Sequence, residues 1–236
     1  MTQNIEKIKE MVFKLMEKDN SGHGIDHVLR VYNLATKFAQ QEKANIEIVA
    51  LAALLHDVDD YKIVGKENSE RMTNAKKIMS KANIDFNIQQ KILIIIKSMG
   101  YSNYLKGIRP ESLEGKIVSD ADMCDAIGAS GIIRAVVYAV SEKGSGIIFN
   151  QDVLPNVNIG IEEYNGGGLN KAHDTSSAIN HFFEKLLKLI NLMMTSSGKT
   201  EATERQEIMI SFLKHFFQEE NVPEWNGFLK AFLEEM

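Results

Sequence analysis

Apolar residues recur at helical spacing from the first residues onward. Ile5, Ile8, Met11, Val12, Leu15 and Met16 share one face, and Val28, Val31, Leu34, Ala35 and Phe38 repeat the pattern in the next segment. Two successive amphipathic helices are predicted. Glu47–His56 differs: it is apolar on nearly every side and rich in Ala and Leu, so it reads as a buried central helix. Residues 68–81 and 86–99 read as two further helices. The second carries Ile88, Ile92, Ile95, Ile96 and Met99 before Gly100 stops it. Lys116–Ala126 and Ile132–Ser141 continue the pattern, broken by Gly128 and Gly131.

Past Gly144 the periodicity lapses. The stretch to Thr175 is rich in glycine, and its short runs "GIIFN" and "VNIGI" are candidates for small strands. A connection this long inside a compact domain is usually functional, so 144–175 is expected to form a lid over substrate or a homodimer contact. Thr175 or Asp174 can cap a helix running from Ser177 to about Met194. Glu201–Glu219 supplies another amphipathic helix, and "VPEWNGFLKAFLEEM" a short helical tail. The expected fold is all-α, about eight to ten helices in one domain over 1–236. Its core lies near 20–143, its excursion at 144–175 and its C-terminal helices at 176–236.

Composition narrows the setting. The densest apolar stretches, Val49–Leu55 and Ile92–Ile96, fall well short of the roughly 18–20 residues that span a bilayer. The opening "MTQNIEKIKE" lacks the basic and apolar regions of a signal peptide, so neither membrane insertion nor export is expected. A single cysteine, Cys124, and eleven methionines suit a reducing compartment, which places the protein in the cytoplasm. The formal charge of −5 comes without a basic run, which argues against a nucleic-acid partner. A small phosphorylated substrate stays compatible, because a metal ion brings its own positive charge.

Against this background His27, His56, Asp57, Asp120 and Asp122 stand out as polar residues on apolar helices. Imidazole and carboxylate together suit Mn²⁺, Fe²⁺, Zn²⁺ or Ni²⁺ better than an all-oxygen Mg²⁺ cage. Four such ligands leave coordination positions for water and a substrate oxygen. A lone histidine on such a helix is more often a core residue. What changes the weight is the ordered set: His27, then the His56-Asp57 doublet ending a buried helix, then "SDADMCDA" on a third helix.

In that set the chain resembles the HD-superfamily metal-dependent phosphohydrolases, in particular the small stand-alone bacterial branch. "GIDHVLRVYNLA" matches the first histidine motif, "ALLHDVDDYK" the doublet and "VSDADMCDAIGASGIIRA" the distal aspartate motif. "SSAINHFFEKLLKLINLMMTSSGK" is similar to the branch's C-terminal helix, so the likeness covers nearly the whole chain. The resemblance implies one divalent ion, Mn²⁺ by preference, with Fe²⁺, Ni²⁺, Zn²⁺ or Mg²⁺ as alternatives. It would be held by His27, His56, Asp57 and Asp122, the aspartate of the "AD" step, with Asp120 as the competing distal ligand. It further implies that Asp57 bridges the roles of ligand and base. Lys62 occupies a position where the branch carries a basic residue that can neutralise a phosphate oxygen; the competing reading is a solvated lysine paired with Asp59. Arg30, three residues after His27, either contacts phosphate or pairs with a nearby aspartate.

Departures from the family pattern matter too. Where relatives carry further histidines, this chain reads "KENSERM" and "IIKSMGYS", with Met99 in one such position. A mononuclear site is therefore expected, with Lys97 a substitute substrate contact. Activity implied by the resemblance is hydrolysis of (deoxy)nucleoside triphosphates to monophosphate and pyrophosphate. A phosphomonoesterase acting on nucleoside monophosphates or other small esters is the alternative within enzymes, and a non-catalytic nucleotide-binding HD domain the alternative outside them.

Other suggestive features read more simply. His173-Asp174 has no buried helix before it and suits a lid and a helix cap. Gly166–Gly168 lacks the Lys-Ser/Thr of a phosphate loop. Cys124 has no local base and is expected to pack. Lys185 and Lys188 read as a solvated face. Met193, Met194 and the phenylalanines near 182–183 and 212–217 read as core.

Overall fold

Every residue from Ile48 to Leu55 is buried in the structure, a computed structural model that describes residues 2–17, 24–60, 64–141, 144–158 and 177–236. They form α3 (Ile46–Leu55), matching the expected central helix to within a residue at each end. Asn45 caps it, its side-chain oxygen accepting from the Ile48 N–H at 3.2 Å. A helix with no polar face must be covered all round, and α3 packs against α1 (Thr2–Met16), α2 (Ile25–Gln41) and α6 (Phe86–Ser98).

The described chain is all-α, with twelve α-helices and one 3₁₀ helix and no strand among the described residues. The remaining helices are α4 (Lys66–Arg71), α5 (Thr73–Lys81), α7 (Tyr101–Leu105), α8 (Leu113–Asp125), α9 (Gly128–Ala139), α10 (Ala178–Glu184), α11 (Ser196–Glu219) and α12 (Pro223–Glu235), with the 3₁₀ helix at Leu186–Leu192. The count exceeds the expected eight to ten because two segments divide and a short helix, α7, follows Gly100. Residues 68–81 break at Met72, whose φ of 53° and ψ of 50° are left-handed. Met72 is nonetheless buried, so packing holds an apolar side chain where the backbone prefers glycine. The segment after Ser177 is α-helical only to Glu184 and then tightens into the 3₁₀ turn.

Contacts cluster into two units, Met1–Asp122 and Met123–Met236, with the boundary inside α8. In the first unit α5 packs on α1 and α6, extending the shell around α3. In the second, α11 packs against α9, α12 and the 3₁₀ helix. Its core is aromatic: Trp225 has ring centroids 5.1 Å from Phe149 and 5.5 Å from Phe217, and Phe183 lies 5.3 Å from Phe232. Gly128 opens α9 at φ +77°, and a Cβ there would lie 3.0 Å from the Arg205 side chain. Gly131 does not interrupt the helix as expected. It sits inside α9, where a Cβ would meet the Ala126 carbonyl oxygen at 2.3 Å.

"GIIFN" is not a strand. Its Ile147 and Ile148 carbonyls accept from the Ala178 and Ile179 N–H groups at 3.0 and 3.1 Å, satisfying the open start of α10. Ser177 also caps this helix, accepting from the Asn180 N–H at 3.0 Å. The other candidate caps, Asp174 and Thr175, lie outside the described residues, as do most of "VNIGI", Gly166–Gly168 and His173. No helix among the described residues is long and apolar enough to cross a membrane.

Leu51 and Leu54 are fully buried in α3. Leu51→Ala is expected to cost about 2–5 kcal/mol, measured as a lowered urea midpoint at unchanged helical content in the native baseline.

Candidate metal centre

α3 ends where the chemistry starts. His56 is its C-cap, and the buried Ala53 carbonyl one turn back accepts from His56 Nδ1 at 2.8 Å. A carbonyl only accepts, so Nδ1 carries a proton and Nε2 is the ring nitrogen turned to the site. Asp57 follows directly, its side chain 15% exposed. His27, 3% exposed, enters from the first turn of α2, and Asp122 from the last turn of α8.

These four side chains converge. His27 Nε2 stands 3.1 Å from His56 Nε2, 3.4 Å from Asp57 Oδ2 and 3.5 Å from Asp122 Oδ1. His56 Nε2 lies 3.5 Å from the same Asp57 oxygen and 3.7 Å from the same Asp122 oxygen. Lone-pair donors gathered this closely away from water are costly unless positive charge lies among them. Ligands about 2.1 Å from one ion stand roughly 3.0 Å apart at right angles and roughly 3.4 Å apart at the tetrahedral angle. The spacings within His27, His56 and Asp57, 3.1–3.5 Å, lie in or just above that range, and those to Asp122, 3.5 and 3.7 Å, are a few tenths of an ångström longer, so the donor set could close on one divalent ion with a small inward shift of Asp122. His27, His56 and Asp57 form the tightest group, each offering an atom within 4.8 Å of the others.

Asp120 and Asp122 separate by helical phase. Two residues turn an α-helix by roughly 200°. Asp122 is partly open and reaches both imidazoles, whereas Asp120 is fully buried. Arg30 lies exposed on α2 one turn past His27. Lys97 is exposed in the last turn of α6, and no ion pair among the described residues holds its ammonium. Lys62 lies outside the described residues. Met99 is buried at the end of α6.

Asp59 has a task the sequence did not reveal. It is 7% exposed, and its two oxygens accept from the Asn74 and Ala75 N–H groups at 2.8 Å each. It thereby caps α5, whose own N-cap residue, Met72, offers no acceptor. A pattern reading could have looked for a distant carboxylate once Met72 was known to break the helix. Asp125 was also not singled out; it is buried and bonded to Arg134 Nη1 at 2.8 Å.

Most of the simpler features behave as packing, with Met194, Phe212 and Phe216 only half-buried. Cys124 is buried with its Sγ 3.9 Å from Met193 Sδ. Phe182, Phe183, Phe217 and Met193 are core. Lys188, expected on a solvated face, is instead half-buried and donates to the Val157 and Glu184 carbonyls. Desolvation lowers its pKa below the ordinary lysine value, with the Glu184 carboxylate acting the other way.

Comparison with known proteins places this geometry in a family. Residues 24–127, which contain all four converging side chains, match the HD domain. The chain is 32% identical to the uncharacterised protein YpgQ of Bacillus subtilis, over 92% of this chain and 93% of that one. The crystal structure of an HD-superfamily hydrolase from Bacillus thuringiensis superposes with a TM-score of 0.71 at 31% identity, covering 93% of this chain and 98% of that one. Bacillus subtilis YpgQ in complex with ADP superposes with a TM-score of 0.67 at 28% identity, over 92% and 95% of the two chains. With its first histidine, His-Asp doublet and distal aspartate drawn together at helix ends, the chain belongs to the HD superfamily of metal-dependent phosphohydrolases.

Proposed function

We propose that the protein hydrolyses (deoxy)nucleoside triphosphates to the monophosphate and pyrophosphate, using one divalent ion, Mn²⁺ by preference, held by His27, His56, Asp57 and Asp122. The observation that carries the reading is the approach of two imidazole nitrogens and two carboxylate oxygens to within 3.1–3.7 Å, imidazole to imidazole and imidazole to carboxylate. A relative crystallised with ADP supports a nucleotide as the phosphorylated ligand. The bound ion supplies a Lewis acid that acidifies water and neutralises charge on a phosphoryl oxygen.

The chain's own groups do the rest. The hydrogen bond to Ala53 keeps the His56 ring turned toward the site in one tautomer. Asp57 holds the ion and takes the proton released by the attacking water. Arg30 and Lys97, both exposed, receive the phosphate chain, with Lys62 as a point charge against its oxygens. The reaction belongs to the cytoplasm, where the buried Cys124 stays reduced.

Two measurements test this. In a product-resolved assay with Mn²⁺ and nucleoside mono-, di- and triphosphates, triphosphates are expected to release pyrophosphate, and Asp57→Ala to lower the rate on the order of 10³-fold or more. Orthophosphate as the only phosphorus product would identify a phosphomonoesterase instead, and metal-loaded protein that binds nucleotide without turnover would identify a binding domain.

Direct titration with Mn²⁺ separates the two distal aspartates. Asp122→Ala is expected to weaken binding by about a hundredfold or more with little change in melting temperature. Asp120→Ala is expected to cost about 1–3 kcal/mol of stability through the buried partners it abandons. The reverse pattern would assign Asp120 as the ligand.

A further inference from the structure

We infer that Asp59 and Asn74 are positioning residues that hold the His56-Asp57 turn in register for its ion. The inference rests on the reading of His56 and Asp57 as metal-holding. Three hydrogen bonds meet reciprocally at this point. Asp59 Oδ1 and Oδ2 accept from the Asn74 and Ala75 N–H groups, both at 2.8 Å. In return, Asn74 Nδ2 donates to the Val58 carbonyl at 2.9 Å. The contact crosses fifteen or sixteen residues of sequence and joins the residues immediately after Asp57 to the first turn of α5.

Its consequence follows from where Asp57 sits. On its N-terminal side the chain is anchored in the buried end of α3, through the His56 ring on Ala53 and the Val58 N–H on the Leu55 carbonyl at 3.4 Å. On its C-terminal side the next fixed points are Val58, fully buried, and Asp59. Asp57 is thus suspended between two anchors one or two residues away. α5 itself packs on α1 and α6, so the second anchor is tied to the same scaffold that surrounds α3. Without it, the turn after His56 loses its bonded tie to α5, while local bonds such as the Asp60 N–H on the Asp57 carbonyl at 3.1 Å stay in place. A ligand carboxylate free to rotate with its backbone loses affinity without losing the fold.

A purely structural cap would do none of this, and the molecule contains one for comparison. Asp85 caps α6 with its side chain accepting from the Asn87 and Ile88 N–H groups at 2.9 and 3.3 Å, and it is exposed. The chemistry matches that of Asp59, but Asp85 does not join α6 to the His56-Asp57 turn.

The test is the Mn²⁺ dissociation constant of the full-length protein, read by direct titration, together with its thermal midpoint. Asp59→Asn keeps the side chain's shape but replaces one acceptor by a donor, and Asn74→Ala removes only the bond to Val58. Both are expected to weaken Mn²⁺ binding by roughly tenfold, the scale on which supporting groups act on metal ligands. Asp85→Ala is expected to lower the thermal midpoint and leave Mn²⁺ affinity unchanged. Wild-type affinity in Asp59→Asn and Asn74→Ala would overturn the inference, as would an equal loss in Asp85→Ala. Should Asp59→Asn fail to fold, Asn74→Ala decides alone. Asp57→Ala is the parallel control: if it binds Mn²⁺ like the wild type, the reading of the site itself falls, whereas loss there with wild-type affinity in the Asn74 variant removes only the positioning role.

Discussion

The buried helix α3 is the constraint on which the site depends. A helix apolar on all sides has one stable home, the middle of a shell of other helices, and that burial leaves its end little freedom. The polar residues His56 and Asp57 therefore leave the core at a defined point and angle. The first histidine comes from α2, the helix most extensively packed on α3, so its distance from the doublet is set by the same apolar contact. Core packing and metal-site geometry are one problem in this protein.

Two of the three acidic residues of "HDVDD" take different electrostatic tasks. Asp57 faces the imidazoles, where its charge gains from a cation, while Asp59 meets the positive start of α5, where backbone N–H groups and the helix dipole favour a carboxylate. A short apolar residue, Val58, lies buried between them. The same economy recurs at the end of α8, where Asp122 reaches the site, Asp120 is enclosed, and Asp125 bonds to Arg134. Alternation of exposed and enclosed carboxylates along one helix needs no special sequence signal beyond the 100° step per residue.

Much of this was legible from periodicity. α1, α2, α3, α6 and α11 carry strong apolar faces, and local pattern is enough where a helix buries one stripe or all of its surface. The ligand candidates were legible as an ordered motif, and the fold brings Asp122 Oδ1 to 3.5 and 3.7 Å from the two imidazole nitrogens. What escaped the pattern depends on partners distant in sequence. The break at Met72 is supported by a carboxylate thirteen residues earlier, and an apolar residue in left-handed conformation gives no local warning. "GIIFN" has the composition of a strand, yet its carbonyls serve a helix start and its Phe149 joins the aromatic core. Lys188 reads as surface by residue type, and only the fold reveals that two carbonyls hold its ammonium.

The central claim is that His27, His56, Asp57 and Asp122 share one ion. X-ray absorption of protein loaded with Mn²⁺ and purified free of excess metal tests it most directly, with metal content measured on the same sample. The account predicts one ion per chain and a nitrogen and oxygen shell that includes the scattering of two imidazoles, with the imidazole contribution reduced in His27→Ala. A shell of oxygen alone, or a metal–metal vector at roughly 3.5–4 Å as in paired-ion sites, would contradict it.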